Sequence, residues 1–284
     1  MVNAALDKYL EPKYPPLIYQ AMRYSIFAGG KRLRPILVLE GARICGGSEK
    51  AVLPAACALE FIHTYSLIHD DLPAMDDDDY RRGQLTSHKK FGEDVAVLTG
   101  DALLTEAFGL LAEMKNVEPA SVLRVIALVV ESSGVRGMIG GQLVDTCEDS
   151  SLTGGKSPTK EKVLDYIHTH KTLALIKASL LAGAILSGSS IRDLRALGRY
   201  AEKIGLAFQI ADDILDVAGD KEKLGKKGSD IKNKKLTYIS LYGLEKSRRM
   251  ALNLAEQAKK DLAVFGREKY VLAALADYIV ERES

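Results

Sequence analysis

Apolar residues recur at the three- and four-residue spacing of an amphipathic helix along almost the whole chain. No run of alternating apolar and polar residues is convincing enough to predict a strand. The pattern predicts helices over residues 16–28, 36–45, 49–71, 93–115, 119–146, 159–186, 190–219, 237–263 and 268–281. No linker rich in Gly, Pro or Ser separates them, so we expect a single all-α domain over residues 1–284.

Charge and cysteine usage narrow the class of protein. The formal net charge is +1, which argues against general binding to nucleic acid or to an acidic membrane surface. Three cysteines, Cys45, Cys57 and Cys147, lack zinc-site spacing and cannot all pair, as is usual in a reducing compartment. The first residues lack the apolar core of a signal peptide, and no uninterrupted apolar run is long enough to span a bilayer. We therefore expect a cytoplasmic protein without a membrane span.

An acidic run, "DDLPAMDDDD" at residues 70–79, places six aspartates in ten positions. Like charges at this spacing repel unless water or a cation neutralises them. A solvated acidic loop is the simplest interpretation. However, the run follows the apolar stretch "CALEFIHTYSLIH" and precedes Arg81 and Arg82. This context favours a cation site at the end of a buried helix, with an anion beside it.

A second acidic cluster lies in "FQIADDILD" at residues 208–216. On a helix, Asp212 and Asp216 share one face and Asp213 lies beside them. A single cluster of this kind is more often an exposed helix face. Two clusters in one helical chain suggest facing oxygen ligands for a hard cation such as Mg²⁺. The Glu-x-x-His pairs of di-iron bundles, an EF-hand loop and a Walker loop are all absent from the sequence.

Basic residues also cluster locally. "GGKRLRP" at 29–35 places Lys31 and Arg34 after a predicted helix end, although taken alone it could equally be an ordinary basic loop. With Arg81, Arg82, Lys171 and the lysine-rich segment "GDKEKLGKKGSDIKNKK", the chain has enough positive charge to hold two diphosphates.

These stretches, together with "GDALL", "GGQLVD", "HKT" and "GSDIKNKKLTY" in this order, resemble the motifs of the short-chain trans-polyprenyl diphosphate synthases. The similarity runs from about residue 16 to the C-terminus, and within the family it is greatest to the bacterial farnesyl diphosphate synthases. The resemblance implies an isoprenoid synthase helical bundle around a central active-site cavity, and a homodimer. It also implies condensation of isopentenyl diphosphate with dimethylallyl or geranyl diphosphate to give farnesyl diphosphate.

The resemblance also implies residue roles. Asp70, Asp76 and Asp212 would be direct magnesium ligands, and Asp71, Asp213 and Asp216 would bind the metal directly or through water. The isopentenyl diphosphate pocket would contain Lys31, Arg34, His63 and Arg82. The allylic diphosphate would be held by Arg81, Lys171 and Lys226, with support from Lys235; an apparent one-residue shortening before Asp230 leaves Lys227 as the alternative to Lys226. Thr172 and Gln209 would lie beside the reacting carbons.

The implied chemistry needs no side-chain nucleophile. Three Mg²⁺ ions, for which Mn²⁺ could substitute, would neutralise the leaving diphosphate while an allylic cation forms and is attacked by isopentenyl diphosphate. A terpene cyclase or a non-catalytic partner subunit fits less well, since both aspartate clusters and a second basic site are present. Tyr65 lies five residues before Asp70, next to the small Ser66, and its ring could stop chain growth or simply pack in the core. The resemblance favours the first role and a fifteen-carbon product, with twenty carbons as the alternative.

Overall fold

The computed structural model describes residues 1–146, 159–218 and 236–282. Within these residues the chain is helical, apart from a short antiparallel hairpin of strands β1 (Tyr80–Arg81) and β2 (Gln84–Leu85). The all-α prediction is therefore confirmed. Lys226, Lys227, Lys235 and Cys147 lie outside the described residues.

The described helices follow the predicted order closely. They are α1 (Val2–Tyr9), α2 (Pro16–Phe27), α3 (Leu33–Ile44), α4 (Glu49–Asp70), α5 (Ser87–Phe91), α6 (Glu93–Ala112), α7 (Pro119–Ser133), α8 (Met138–Thr146), α9 (Lys160–Ile167), α10 (Ala174–Leu186), α11 (Ile191–Ala218), α12 (Tyr238–Tyr242), α13 (Leu244–Asp261) and α14 (Tyr270–Glu281). A π-helical segment over His168–Leu173 joins α9 to α10, and a 3₁₀ turn over Leu262–Phe265 follows α13.

Periodicity alone missed two helix breaks. The predicted helix 119–146 is interrupted between α7 and α8, where Gly134 and Gly137 occur. The predicted helix 237–263 is interrupted at Gly243, whose φ of 78° ends α12. Apolar spacing continues across both breaks, so periodicity does not detect them. The short helices α1 and α5 and the hairpin were also not predicted.

Contacts divide the chain into two compact units, residues 1–127 with 182–188 and residues 128–181 with 189–284. In the first unit, α4 packs against α3 and α6, and its side chains Phe61 and Ile62 are at most 1% exposed. The first acidic run therefore starts where a buried helix ends, at Asp70. The assignment of residues 1–284 to a single domain stays a prediction.

In the second unit, the long helix α11 packs against α13. A core of Leu164, Ile210, Tyr238 and Ala251 lies beside the second aspartate cluster. Helix α14 is joined to α11 by the buried hydroxyl of Tyr200, which donates a 2.7 Å hydrogen bond to the carbonyl of Leu272. These contacts fix the helix that carries the second acidic motif.

Three helical segments are long and apolar enough, by length and composition only, to cross a membrane: Glu49–Asp70, Glu93–Ala112 and Lys160–Leu186. Each of these helices contains charged residues within its length, and the expectation of no membrane span stays a prediction. In the first and third segments, 67% and 61% of the most apolar stretch is buried inside the protein, against 33% in the second. Core packing therefore accounts for the composition of two of the three.

Candidate active site

The first acidic run folds back on the helix that precedes it. The backbone N–H of Asp76 donates a 2.9 Å hydrogen bond to the carbonyl of Asp70, the last residue of α4. Asp70 is half-buried and Asp76 is exposed. The loop therefore brings two of the predicted metal ligands, six positions apart in sequence, to the same helix end.

Asp71 has a different environment from its neighbour. It is 3% exposed, and Nε of Arg81 lies 2.7 and 2.8 Å from its two carboxylate oxygens. Burial acts to lower the pKa of Arg81, but its hydrogen bonds and ion pair with Asp71 raise it overall. Asp71 thus positions Arg81 in this structure, and its direct binding of magnesium stays a prediction.

A basic cluster lies around His63 on α4. Burial lowers the pKa of His63 well below its ordinary value, and the charges of Arg34, Arg82, Arg81 and Arg32 lower it further. The imidazole is therefore neutral at physiological pH. Arg32 and Arg81 pair with Glu60 and Asp71, whereas Arg34 and Arg82, beside the neutral imidazole, suit an anion. His63, Arg34 and Arg82 are three of the four residues predicted for the isopentenyl diphosphate pocket. The fourth, Lys31, is exposed.

The backbone conformation explains why two glycines, Gly29 and Gly30, precede this cluster. Gly29 and Gly30 have φ angles of 105° and 121°, which side chains rarely adopt. Nη1 of Arg82 donates a hydrogen bond to the carbonyl of Gly29, and a Cβ at Gly30 would lie 2.6 Å from the same nitrogen. The pair therefore allows the Arg82 guanidinium to lie against the backbone.

Arg32, in the same "GGKRLRP" stretch, has a structural role. Its Nη1 lies 2.6 Å from Oε1 of Glu60, which is 2% exposed, and its Nη2 donates to the carbonyl of Ile26. This buried pair anchors the start of α3 on α4. Its guanidinium is therefore used inside the protein, and Arg32 was not among the residues predicted to bind substrate.

Tyr65 is 5% exposed on α4, and its ring packs edge-on against His69 with centroids 5.8 Å apart. Its hydroxyl is buried and has no hydrogen-bond partner among the described residues. Burial, and secondarily the charge of Asp70, raises the pKa of this phenol to about 12. Ser66 is half-buried, and its hydroxyl donates to the carbonyl of His63 at 2.9 Å. Within the described residues, the large Tyr65 ring is therefore held by packing contacts such as the one with His69.

In the second unit, Lys171 lies in the π-helical segment, a distortion that is frequent at functional sites. Its Nζ donates a 2.5 Å hydrogen bond to Oδ2 of Asp145 on α8. Gly141 of "GGQLVD" permits the close approach, because a Cβ there would lie 2.2 Å from the backbone nitrogen of Lys171. The motif thus positions the lysine predicted to hold the allylic diphosphate. Thr172, next in the chain, is half-buried.

The second acidic cluster lies on α11 with Gln209, and its three carboxylates differ. Asp212 forms an ion pair with Arg282. Asp213 is 5% exposed and accepts a 2.8 Å hydrogen bond from the backbone N–H of Tyr238. Oδ2 of Asp216 is buried and has no hydrogen-bond partner among the described residues. The role of each, and the expectation that the two acidic clusters face one another, stay predictions.

The donor atoms suit magnesium, which prefers oxygen ligands and usually takes one or two carboxylates together with waters and substrate phosphates. Within the part of the chain that the structure describes, no group of three or more His, Cys, Asp or Glu side chains could hold a metal ion by itself. The partnerless Oδ2 of Asp216 is a buried anionic atom that a cation would neutralise. The residues therefore fit a metal that arrives with a diphosphate rather than a preformed protein cage.

Sequence reasoning missed three residues near these sites. Asp145 belongs to a motif that was noticed, and only its pairing with Lys171 reveals its role. Tyr238 ends another noticed motif, "GSDIKNKKLTY", but a backbone N–H gives no sequence signal. Arg282 follows an apolar helix at the end of the chain, and no pattern relates it to Asp212.

Comparisons with known proteins agree with this geometry. The family model described as polyprenyl synthetase matches residues 15–272. The chain is 48% identical to a geranylgeranyl diphosphate synthase of Cyanophora paradoxa over 100% of this chain and 94% of the relative. It is 49% identical to a dimethylallyltranstransferase of Fischerella ambigua, over 99% of this chain and 80% of that protein.

A solved structure has the same fold as this chain. A crystal structure of a FPP/GFPP synthase from Zymomonas mobilis, without ligand, aligns with a TM-score of 0.85 and 39% identity. The alignment covers 98% of this chain and 94% of that one. These matches extend over nearly the whole chain, and the class of chemistry that they support is trans-prenyl transfer. The chain therefore belongs to the polyprenyl synthetase family.

Proposed function

We propose that this protein condenses isopentenyl diphosphate with dimethylallyl and then geranyl diphosphate to make farnesyl diphosphate. The observation that supports the reaction most directly is how the acidic run contacts the basic residues beside it: Arg81 pairs with Asp71, and Arg82 lies against the backbone of Gly29 in the "GGKRLRP" stretch. An anion site beside a carboxylate cluster suits a diphosphate substrate that brings its own metal ions.

Each cluster has a distinct role in this proposal. Lys31, Arg34, Arg82 and His63 bind the diphosphate of isopentenyl diphosphate, and the neutral imidazole adds a hydrogen bond without further charge. Arg81, oriented by Asp71, and Lys171, oriented by Asp145, hold the allylic diphosphate. Lys226 or Lys227, with Lys235, would add to this group. Pairing with the buried Asp71 and the half-buried Asp145 keeps these cations in place before substrate binds.

The residues that would hold magnesium are Asp70, Asp76, Asp212 and Asp216, with Asp71 and Asp213 supporting them. When bound with the diphosphate, the metal neutralises the charge that develops on the leaving group. Thr172 and Gln209 offer oxygen atoms that can stabilise the positive charge on the allylic carbon, and the apolar helices exclude water from it. The departing diphosphate takes the proton that is lost after the new carbon–carbon bond forms.

The fifteen-carbon product rests on Tyr65. At 1.5 Å per residue, its Cα lies roughly 7–8 Å before Asp70 along α4, and its buried ring is large enough to stop a growing chain there. A twenty-carbon product is the second candidate, because relatives that are 48% and 47% identical, from Cyanophora paradoxa and Arabidopsis thaliana, are named geranylgeranyl diphosphate or pyrophosphate synthases.

We also infer a homodimer in the cytoplasm. Helix α6 exposes Leu98 at 59% and Val97 at 40%, and two copies of this apolar face could cover each other. Cys57 is a buried, free thiol, as expected in a reducing compartment. Light scattering on the purified protein should give about twice the chain mass of 30.9 kDa; a value equal to one chain would contradict the dimer.

Product analysis tests the function. Purified protein is incubated with Mg²⁺, labelled isopentenyl diphosphate and dimethylallyl diphosphate, and the dephosphorylated products are separated by chromatography. A linear fifteen-carbon alcohol supports the proposal, and a twenty-carbon alcohol supports the second candidate. A cyclised hydrocarbon would identify a cyclase, and no turnover would indicate a non-catalytic subunit.

A further inference from the structure

The last described residue, Arg282, lies against the second acidic motif. Its Nη2 forms an ion pair with Oδ1 of Asp212, and the same nitrogen donates a 3.3 Å hydrogen bond to the carbonyl of Phe208. The guanidinium carbon lies 4.3 Å from the centroid of the Phe208 ring, a cation–π contact. Arg282 is therefore attached to α11 by an ion pair, a hydrogen bond and a ring contact.

Burial of the two partners is unequal. The Arg282 side chain is 6% exposed, whereas the Asp212 side chain is 41% exposed. A buried guanidinium needs its counter-ion, while a carboxylate that still faces solvent can accept another cation. The approach of a divalent cation to Asp212 is then opposed by a positive charge already in contact with the carboxylate.

We propose that Arg282 is an intramolecular counter-ion that competes with a divalent metal ion for Asp212, and so sets the affinity of the second acidic cluster for metal. This rests on the proposed function, in which Asp212 is a metal ligand. Arg282 acts through Asp212, so it is a positioning residue and not a catalytic one. Metal binding at Asp212 displaces the guanidinium and loosens the end of α14.

The position of Arg282 at a helix end also favours its displacement by the metal ion over a state in which Arg282 and the metal both contact Asp212. Arg282 is the C-cap of α14, with φ −63° and ψ 143°, so the backbone leaves the helical conformation at this residue. Its backbone N–H still donates a 3.0 Å hydrogen bond to the carbonyl of Tyr278, one turn earlier in the helix. A residue at a helix end can move away with few backbone hydrogen bonds broken.

Mn²⁺ binding, measured by electron paramagnetic resonance in the presence of inorganic diphosphate, tests the proposal. Arg282→Gln removes the charge but keeps a polar side chain, and we expect it to tighten Mn²⁺ binding by about tenfold, the effect of one charge-assisted contact. Arg199→Gln removes an arginine that pairs with Asp261, away from the acidic motif, and should leave Mn²⁺ affinity unchanged. Asp212→Asn combined with Arg282→Gln should abolish the gain.

Hydrogen exchange supplies a second measurement. In the wild-type protein, saturating Mn²⁺ should increase amide exchange at residues 278–282, and in Arg282→Gln exchange there should already be fast and insensitive to metal. Unchanged or weaker Mn²⁺ binding by Arg282→Gln overturns the proposal, and weaker binding would mean that Arg282 orients Asp212 for the metal instead. A wild-type protein that makes no prenyl product would refute the proposed function, whereas the Mn²⁺ comparison would still decide the role of Arg282.

Discussion

The backbone N–H of Tyr238 donates a 2.8 Å hydrogen bond to Oδ2 of Asp213, in the middle of the second aspartate motif. Both residues are buried, at 2% and 5% exposure. The carboxylate therefore anchors the start of α12 to α11, in addition to any part it has in metal binding. An acidic motif of this kind need not use all of its carboxylates in the same way.

Substitution of Asp213 should separate anchoring from charge. Asp213→Ala leaves a buried N–H without a partner and should lower the free energy of unfolding by about 1–3 kcal/mol. Asp213→Asn keeps an oxygen that accepts the bond and should cost much less. Asp216→Ala is the matched control, since its buried oxygen has no donor among the described residues and its loss should not destabilise the protein. Urea unfolding compares all three, and equal losses for the Ala and Asn variants would contradict the anchoring role.

Gly141→Ala should displace the backbone of Lys171, although the two residues are 30 positions apart in the sequence. The new Cβ would lie 2.2 Å from the Lys171 backbone nitrogen, so α8 or the π-helical segment must move. We expect a loss of about 1–3 kcal/mol in unfolding free energy and a higher KM for the allylic diphosphate. Gly109→Ala in α6 is the control, because nothing lies within 4 Å of its Cβ position and alanine favours helix. Wild-type stability and KM in Gly141→Ala would show that the close approach is unimportant.

Tyr65→Ala should lengthen the main product by at least one five-carbon unit, because it removes the buried ring proposed to end chain growth. Tyr65→Phe is the control. It keeps the ring and removes a hydroxyl that has no partner among the described residues, so product length and stability should stay as in the wild type. Chromatography of the dephosphorylated products measures the product length of both variants. If Tyr65→Ala and the wild type make products of the same length, Tyr65 serves only to pack the core.

The two basic groups should differ in the substrate that they affect. Lys31→Ala and Arg34→Ala should raise KM for isopentenyl diphosphate more than for the allylic substrate, and Lys171→Ala should do the opposite or lower kcat. Each lost charge-assisted contact is worth roughly 1.5–3 kcal/mol, or about ten- to a hundredfold. Steady-state kinetics with each substrate varied in turn gives the comparison. Equal effects on both substrates would show that the two pockets are wrongly assigned.

His168 predicts an acid-sensitive stability. Burial, opposed by the charge of Asp145 and assisted by that of Lys171, lowers its pKa to about 4. Between about pH 6.5 and 4 the unfolded chain binds a proton that the folded protein does not, so stability falls as pH falls. His168→Phe keeps a ring to stack on Tyr238, 5.2 Å away, and removes the proton site.

The unfolding free energy of the variant minus that of the wild type should therefore be larger at about pH 5 than at pH 7. We expect this difference to increase by about 1–2 kcal/mol between the two pH values. Urea unfolding at the two pH values measures this change. The pH 7 comparison is the internal control, because the wild-type ring is neutral there. An unchanged difference between the two pH values would show that His168 is protonated equally in both states.

The amino-acid sequence by itself determined the helical class, most helix positions and the residue types of the site. Helical spacing is local, so apolar residues at 49–71 predict α4 to within a residue or two. The ordered motifs likewise indicated the family, because each needs a particular residue at a particular position. Helix breaks at 134–137 and at Gly243 were not visible, since apolar spacing continues across them.

Tertiary structure alone decided which charges are used inside the protein. Asp70, Asp71, Asp212 and Asp213 look equivalent in sequence, but Asp71 pairs with Arg81, Asp212 with Arg282 and Asp213 with a backbone N–H. Arg282 follows Asp212 by 70 residues, and contacts over such distances in the chain depend on how helices pack rather than on any local pattern. Periodicity and motif spacing describe neighbours along the chain, whereas the partner of a charge is set by its neighbours in space.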